Sequence, residues 1–251
     1  MIEQFFQIGE NWIDKEQYAF QLGDAILFLC FLIFVLYLFV FAIYSKRKPQ
    51  YNYPTAKKKY RFAVEVIIDS VKNFLVQEYP RERYDIIVIS NQMRQDTIDN
   101  LKALSAKVVK MDSPQSTKIE ALKEAIHYIE KGDIKYDNVV ILDADNIVKP
   151  SYLEKINDAL YAGCSALQTH RVAKNRDSNI AVLDSVSEEI NNSIFRKGHT
   201  RLGFSSALSG SGMAFEYELF KDIIQECHDI GEDKYMERKL LLQNVYIEYL
   251  E

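Results

Sequence analysis

Two carboxylates stand close together at Asp143-Ala144-Asp145-Asn146, directly after the apolar run Val139-Val140-Ile141-Leu142. Side chains alternate along a strand, so Asp143 and Asp145 share one side of it. The apolar run ends at Leu142, which puts both acids at a strand's carboxyl end. Ligands of open α/β sheets bind at that edge. Two hard oxygen donors this close suit Mg2+ or Mn2+, cations that also take phosphate oxygens. A solvated loop carrying two acids has the same composition; the buried strand in front is what favours a site.

Three other places carry weaker signals. Asp233, in Gly231-Glu232-Asp233-Lys234, either caps the helix that follows or serves as a general base toward an acceptor hydroxyl. Ser209-Gly210-Ser211-Gly212-Met213 is either a plain turn or a place where small residues let a substrate approach the backbone. Lys118, at a helix start, is either a solvated lysine or a phosphate partner. His170-Arg171 and His199 are unspecific, and 4 dispersed His without paired spacing give no zinc site. The sequence holds no nucleophile elbow, Walker loop or G-x-G-x-x-G.

Positioning these residues takes strands and helices in alternation. The sequence predicts strands in YDIIVIS (84–90), YDNVVILD (136–143), CSALQTHRV (164–172), SALSGSGMAF and VYIEYL. It predicts helices in TKIEALKEAIHYIEK, PSYLEKINDAL, NIAVLDSVSEEINNSIFRK, YELFKDIIQE and DKYMERKLLLQNV. Ile119, Leu122, Ile126 and Ile129 recur at helical steps, with Ser116 in front as the expected cap. Pro150 suits a helix's first turn. Alternation of this kind predicts an α/β class, an open, mostly parallel sheet flanked by helices.

The chain has 251 residues, of which 48% are hydrophobic and 27% charged. That composition excludes disorder for the bulk of the chain. A net charge of -5 argues against nucleic acid as a partner. With 3 Cys a disulfide scaffold is excluded. One segment departs from the average. Ala25–Tyr44 runs 20 residues without a charge, about 30 Å as a helix, which is the thickness of a bilayer core. Lys46, Arg47, Lys48, Lys57, Lys58, Lys59 and Arg61 follow it, whereas Glu3, Glu10, Asp14, Glu16 and Asp24 precede it. The excess of positive charge predicts a cytoplasmic side after Tyr44 and an N-terminus outside. The expected organisation is a short extracytoplasmic segment (1–24), a single transmembrane helix (25–44), a basic linker (45–61) and a cytoplasmic catalytic domain (62–251).

Taken in order, the S-T-K helix, LDADN, QTHR, EEINNSIFRKGH, SGSGMAF and ED-K-x-M-E-R resemble the inverting family 2 glycosyltransferases. The membrane-anchored members related to cellulose, chitin and poly-N-acetylglucosamine synthases are the nearest in pattern. The resemblance spans about residues 65–250. It implies a GT-A fold, a nucleotide-diphosphate sugar donor (a UDP-sugar), a glycan or lipid-linked acceptor, and Mg2+ or Mn2+. On matching positions, Asp143 and Asp145 resemble the acids that hold the diphosphate and its metal. Asp233 resembles the catalytic base, Lys118 a lysine near the nucleotide, and Ser211, Gly212 and Met213 the acceptor-side segment.

Three departures from the family pattern accompany the resemblance. The chain runs from Phe62-Ala63-Val64 into Ile67, Ile68, Val71, Phe74 and Leu75 with helical spacing and no turn, where the family has a loop that cradles the nucleobase. Asn91 stands after YDIIVIS where many relatives have an aspartate facing the base. The sequence ends at Glu251 without a Q-x-x-R-W segment. Two expectations follow: an active membrane-anchored transferase making a polysaccharide or glycoconjugate, or a truncated relative that binds a nucleotide sugar or a partner without turnover. A phosphatase using an early D-x-D-x-[TV] strand is disfavoured, because the pair lies late in the chain and Ile147 occupies its fifth position.

Overall fold

The computed structural model describes residues 2–48, 53–65, 71–111, 117–143, 146–228 and 231–251, with the side chains of 2–16, 65, 72 and 73 left aside. Ser116, Asp145 and the stretch after Val64 where a loop is expected to be missing lie outside the described residues.

Helix α1 spans Ile2–Ser45 and leads into the sheet. Strand β1 is Phe62–Glu65, β2 Tyr84–Ser90, β3 Lys107–Lys110 and β4 Asn138–Ile141. Strand β5 is Ala166–Thr169, β6 Met213–Glu216 and β7 Ile247–Leu250. They form one sheet of 7 strands in the order β3-β2-β1-β4-β6-β5-β7. Only β6 runs against its neighbours β4 and β5. The other pairs are parallel. The carboxyl ends of six strands therefore share one edge with the start of β6. The expected α/β class and mostly parallel sheet are what the molecule has.

Helices cover both faces of the sheet. Helix α4 (Lys118–Lys131), α8 (Tyr217–Gln225) and α9 (Glu232–Leu242) pack Ile126, Phe220 and Leu240 against Ile87, Ile141 and Phe215. On the other face, α2 (Val71–Phe74), α3 (Gln95–Ala103) and α5 (Tyr152–Tyr161) bring Phe74, Leu101 and Ile156 onto Ile86, Val88 and Val140. Ile141 and Val140 thus face opposite layers. Burial on both sides explains why β4 reads as an unbroken apolar run.

Several boundaries differ from expectation. The cap of α4 is Thr117, not Ser116: its hydroxyl accepts from Glu120 N while the Glu120 carboxylate accepts from Thr117 N, a complete capping box. Pro150 precedes α5, whose cap position is Ser151. Of the run with helical spacing after Val64, the described residues include the turn of α2, with Val71 and Phe74 buried. The second half of the basic linker is pinned along α5: Ala56 N donates to Asp158, Tyr60 N to Asn157, and Lys59 pairs with Glu154.

Helix α6 (Asn179–Asn191) runs on without a break through a π-helical segment, Asn192–Gly198, into α7 (His199–Arg201). The π segment packs against the end of α1. A Cβ on Gly198 would stand 2.6 Å from the Phe41 carbonyl oxygen, so only glycine permits this approach. Ser193 Oγ donates to Ser45 Oγ at 2.9 Å. The Phe41 and His199 rings are 4.2 Å apart, and the Tyr37 hydroxyl meets His199 Nε2 at 2.8 Å. Within α1, Gln17–Ser45 is long and apolar enough to cross a membrane, with a mean hydropathy of 3.2 and 6% of its most apolar stretch buried in the protein.

Candidate active site

The parallel strands bring residues far apart in sequence to one edge. Asp143 lies just past β4, Asn91 just past β2, Arg171 just past β5, and Ser209–Gly212 lead into β6. Lys118 opens α4 and Glu232 opens α9 at the same edge.

Lys118 sits at the centre. Its ammonium is 3.2 Å from Asp143 Oδ1 and 3.0 Å from Glu232 Oε1, and it donates to the Gly210 carbonyl. Burial works to lower the lysine's pKa, but Asp143 and Glu232 outweigh it and hold the pKa above the ordinary value. Arg171 Nη2 stands 4.0 Å from Asp143 Oδ2. Two cations and two carboxylates, Lys118 and Arg171 with Asp143 and Glu232, thus meet at this edge.

The loop before β6 is set by side chains behind it. Gln168 donates to the Ser211 carbonyl at 3.0 Å and accepts from Ser209 N at 2.9 Å. Ser211 Oγ accepts from Asp143 N at 2.8 Å and donates to Asn146 Oδ1. Gly210 and Gly212 adopt φ +73 and +66. At Gly212 a Cβ would come 2.7 Å from Thr169 Oγ1, so glycine is required by both conformation and space.

Asp233 sits in the first turn of α9, after Gly231 at φ 97. Its Oδ1 accepts from Lys234 N. It borders a cavity of about 880 Å³ that extends from Arg171 and Ser209 to Tyr37 and Phe41 on α1. Arg171 borders this cavity and also faces Asp143, so it joins the two sides of the site.

Among the residues expected from sequence, Asp143 and Lys118 meet directly, and Asp233 follows Glu232 in the chain. Asn91 is exposed at the edge beyond β2. Ser211 and Met213 are fully buried. Met213 packs in the core beside Ile141 and Phe215, and Ser211 braces Asp143 from behind. Ser209 supplies the cavity lining from this segment. Gln168, Thr169 and Arg171 belong to the QTHR segment and Glu232 to the E-D pair, but the sequence assigns none of the four a role in the site.

A divalent cation held by one or two carboxylates plus phosphate oxygens needs no larger protein cluster. Asp143, half-exposed at the edge, fits that donor set. Among the described residues no group of three His, Cys, Asp or Glu side chains is placed to hold a metal.

Comparisons with known proteins bear on the family and the fold. The family model "Glycosyltransferase like family 2" matches residues 58–250. No curated protein matches the chain. Among solved structures, the mannosyltransferase PcManGT from Pyrobaculum calidifontis, in complex with GDP-Man and Mn2+, is similar at TM-score 0.64 and 16% identity, covering 86% of this chain and 61% of that one. TarS 1-349 from S. aureus in complex with UDP is similar at TM-score 0.54 and 16% identity, covering 76% of this chain and 57% of that one. The chain spans about three fifths of the length of these proteins. At such identities the likeness establishes the GT-A fold. Together with a match over most of its length, it shows that the chain belongs to the glycosyltransferase-like family 2.

Proposed function

We propose that the chain is a membrane-anchored inverting glycosyltransferase that moves a sugar from a nucleotide-diphosphate sugar, of the UDP-sugar class, to a hydroxyl acceptor in polysaccharide or glycoconjugate synthesis. The observation that carries this reading is the bridge from Asp143 through Lys118 to Glu232, which gathers the acidic motif, a phosphate-type lysine and the start of α9 at one sheet edge. The family match, the GDP-Man and Mn2+ in complex with the mannosyltransferase, and the UDP in complex with TarS support the donor class. The motif resemblance to cellulose, chitin and poly-N-acetylglucosamine synthases supports the polymer or glycoconjugate product.

Lys118 and Arg171 receive the diphosphate, and Asn91 hydrogen-bonds the base edge. Asp145 and Asp143 would hold Mg2+ or Mn2+, a cation that would stabilise negative charge on the departing diphosphate. Asp233 takes the proton of the acceptor hydroxyl. The hydroxyl oxygen's electron pair forms the bond to the anomeric carbon. The bond from that carbon to the diphosphate oxygen breaks, and its electrons leave on the diphosphate. Gly212 and the flanking Ser211 and Met213 shape the acceptor side through the backbone rather than their side chains.

The apolar helix Gln17–Ser45 and the basic residues after it support a single span, with the N-terminus outside and the remainder cytoplasmic. The Asp233→Asn variant tests the assignment of the base. It should abolish transfer from UDP-sugars while leaving UDP binding unchanged; retained transfer would overturn the assignment.

A further inference from the structure

Arg171 joins the Asp143 side of the site to the cavity beside Asp233, yet it stands past the end of its strand. Strand β5 ends at Thr169, His170 N still donates to the Leu250 carbonyl at 2.8 Å, and Arg171 is one residue further on. Other groups hold it there. The Ser209 carbonyl accepts from Arg171 Nη1 at 2.9 Å. The Arg171 stem lies over Gly212, where a Cβ would come 3.3 Å from Arg171 Cγ. The main chain is held by Asn192, whose Nδ2 donates to the Arg171 carbonyl at 2.7 Å.

Asn192 is 1% exposed. Burying its amide costs free energy unless both ends are paired, and both are. Its Oδ1 accepts from Arg196 Nη1, which also pairs with Glu188 at 2.8 Å. Its Nδ2 reaches Glu189 Oε2 at 3.5 Å as well as the Arg171 carbonyl. Asn192 is also the first residue of the π segment, Asn192–Gly198. Such segments are frequent at functional sites. Ser193 and Gly198 of the same segment meet α1. The segment that docks the apolar helix therefore also fixes the Arg171 main chain.

Resting on the reading that Arg171 receives the diphosphate, we propose that Asn192 is the positioning residue for Arg171. It acts through the Arg171 carbonyl. By fixing that main chain it keeps the guanidinium aimed at the Asp143 edge rather than into the cavity. An asparagine with a purely structural role would alter stability and leave nucleotide affinity alone.

The test is a double-mutant cycle on the full chain in detergent, read by calorimetric titration with UDP in Mn2+ and by thermal unfolding. Asn192→Asp keeps the shape and the acceptor for Arg196, but sets an oxygen against the Arg171 carbonyl where an N–H donated. Asn192→Ser loses the donated bond without adding charge, and carries the test if the aspartate variant does not fold. Each should weaken UDP binding by about tenfold, the scale of one hydrogen bond to a charged group. In an Arg171→Met background the same changes should weaken it by less than about twofold, because Asn192 then has no guanidinium to aim. A tenfold loss that persists in Arg171→Met would overturn the proposal, as would full UDP affinity in both Asn192 variants. Unchanged UDP affinity in Arg171→Met alone would instead count against Arg171 as a diphosphate residue, and so against the reading on which the proposal rests.

Discussion

Lys118 Nζ lies 3.0 Å from Glu232 Oε1, and through it the start of α4 is fixed to the start of α9. Asp143 joins from the other side at 3.2 Å. One ammonium therefore sets the spacing between the acidic motif after β4 and the helix that carries Asp233. This is how residues separated by most of the domain come to share one sheet edge.

Lys118→Met should weaken UDP binding by about tenfold, consistent with a lost charge-assisted hydrogen bond of roughly 1.5–3 kcal/mol. Glu232→Gln should leave Lys118 paired with Asp143 and have a smaller effect. Calorimetric titration of the two variants checks the order; a larger loss in Glu232→Gln would contradict it.

Much of this layout is legible in the amino-acid sequence, and the exceptions have physical causes. Strand β4 is an unbroken apolar run and helix α4 carries a strong helical period, and Asp143 after β4 marks the carboxyl edge. The pairing of Glu232 with Lys118 escapes a sequence reading because it is tertiary: no local pattern ties a helix-start glutamate to a lysine more than a hundred residues away. Met213 matches an acceptor-side segment by motif, but it alternates in step with Phe215 and so faces the same core. Thr117 three residues before Glu120 is readable as a capping box; the adjacent Ser116 obscures it. The docking of α1 turns on Tyr37, Gly198 and His199, each unremarkable alone.

Gly212→Ala should destabilise the domain by about 1–3 kcal/mol, since a left-handed backbone and a close contact are both forced on the new methyl group. A drop in thermal unfolding temperature reads this out. Gly203, with φ +84 and open space around a Cβ, is the control: Gly203→Ala carries the strain without the clash and should lose less.

Gly198→Ala should loosen α1 from the π segment, because the added carbon meets the Phe41 carbonyl oxygen. A cysteine pair made by Ser45→Cys and Ser193→Cys reports the contact, as the two hydroxyls are 2.9 Å apart. Disulfide yield should be high in the otherwise natural sequence and fall when Gly198→Ala is added. Unchanged yield would show that α1 is held elsewhere.

Asp85 ties the opposite edge of the sheet, accepting from Tyr136 at 2.8 Å and pairing with Arg61 and Lys107 at 3.2 Å each. Burial works to raise its pKa, but Tyr136, Arg61 and Lys107 together hold it below the usual carboxylate value. The stabilisation is therefore present above the unfolded aspartate pKa of about 3.9 and is lost as pH falls through the lower folded value. Urea unfolding across that window should show a steeper loss of stability on acidification in the natural protein than in Asp85→Asn.

The most direct measurement is calorimetric titration of the full chain, in detergent, with UDP in Mn2+, repeated after chelation and with Asp145→Ala. The expected result is saturable binding in Mn2+ that chelation removes and that Asp145→Ala weakens by about tenfold or more, the scale of a lost metal ligand or its support. Equal affinity with and without the cation, and equal affinity in Asp145→Ala, would contradict a metal-dependent nucleotide-sugar site at this sheet edge.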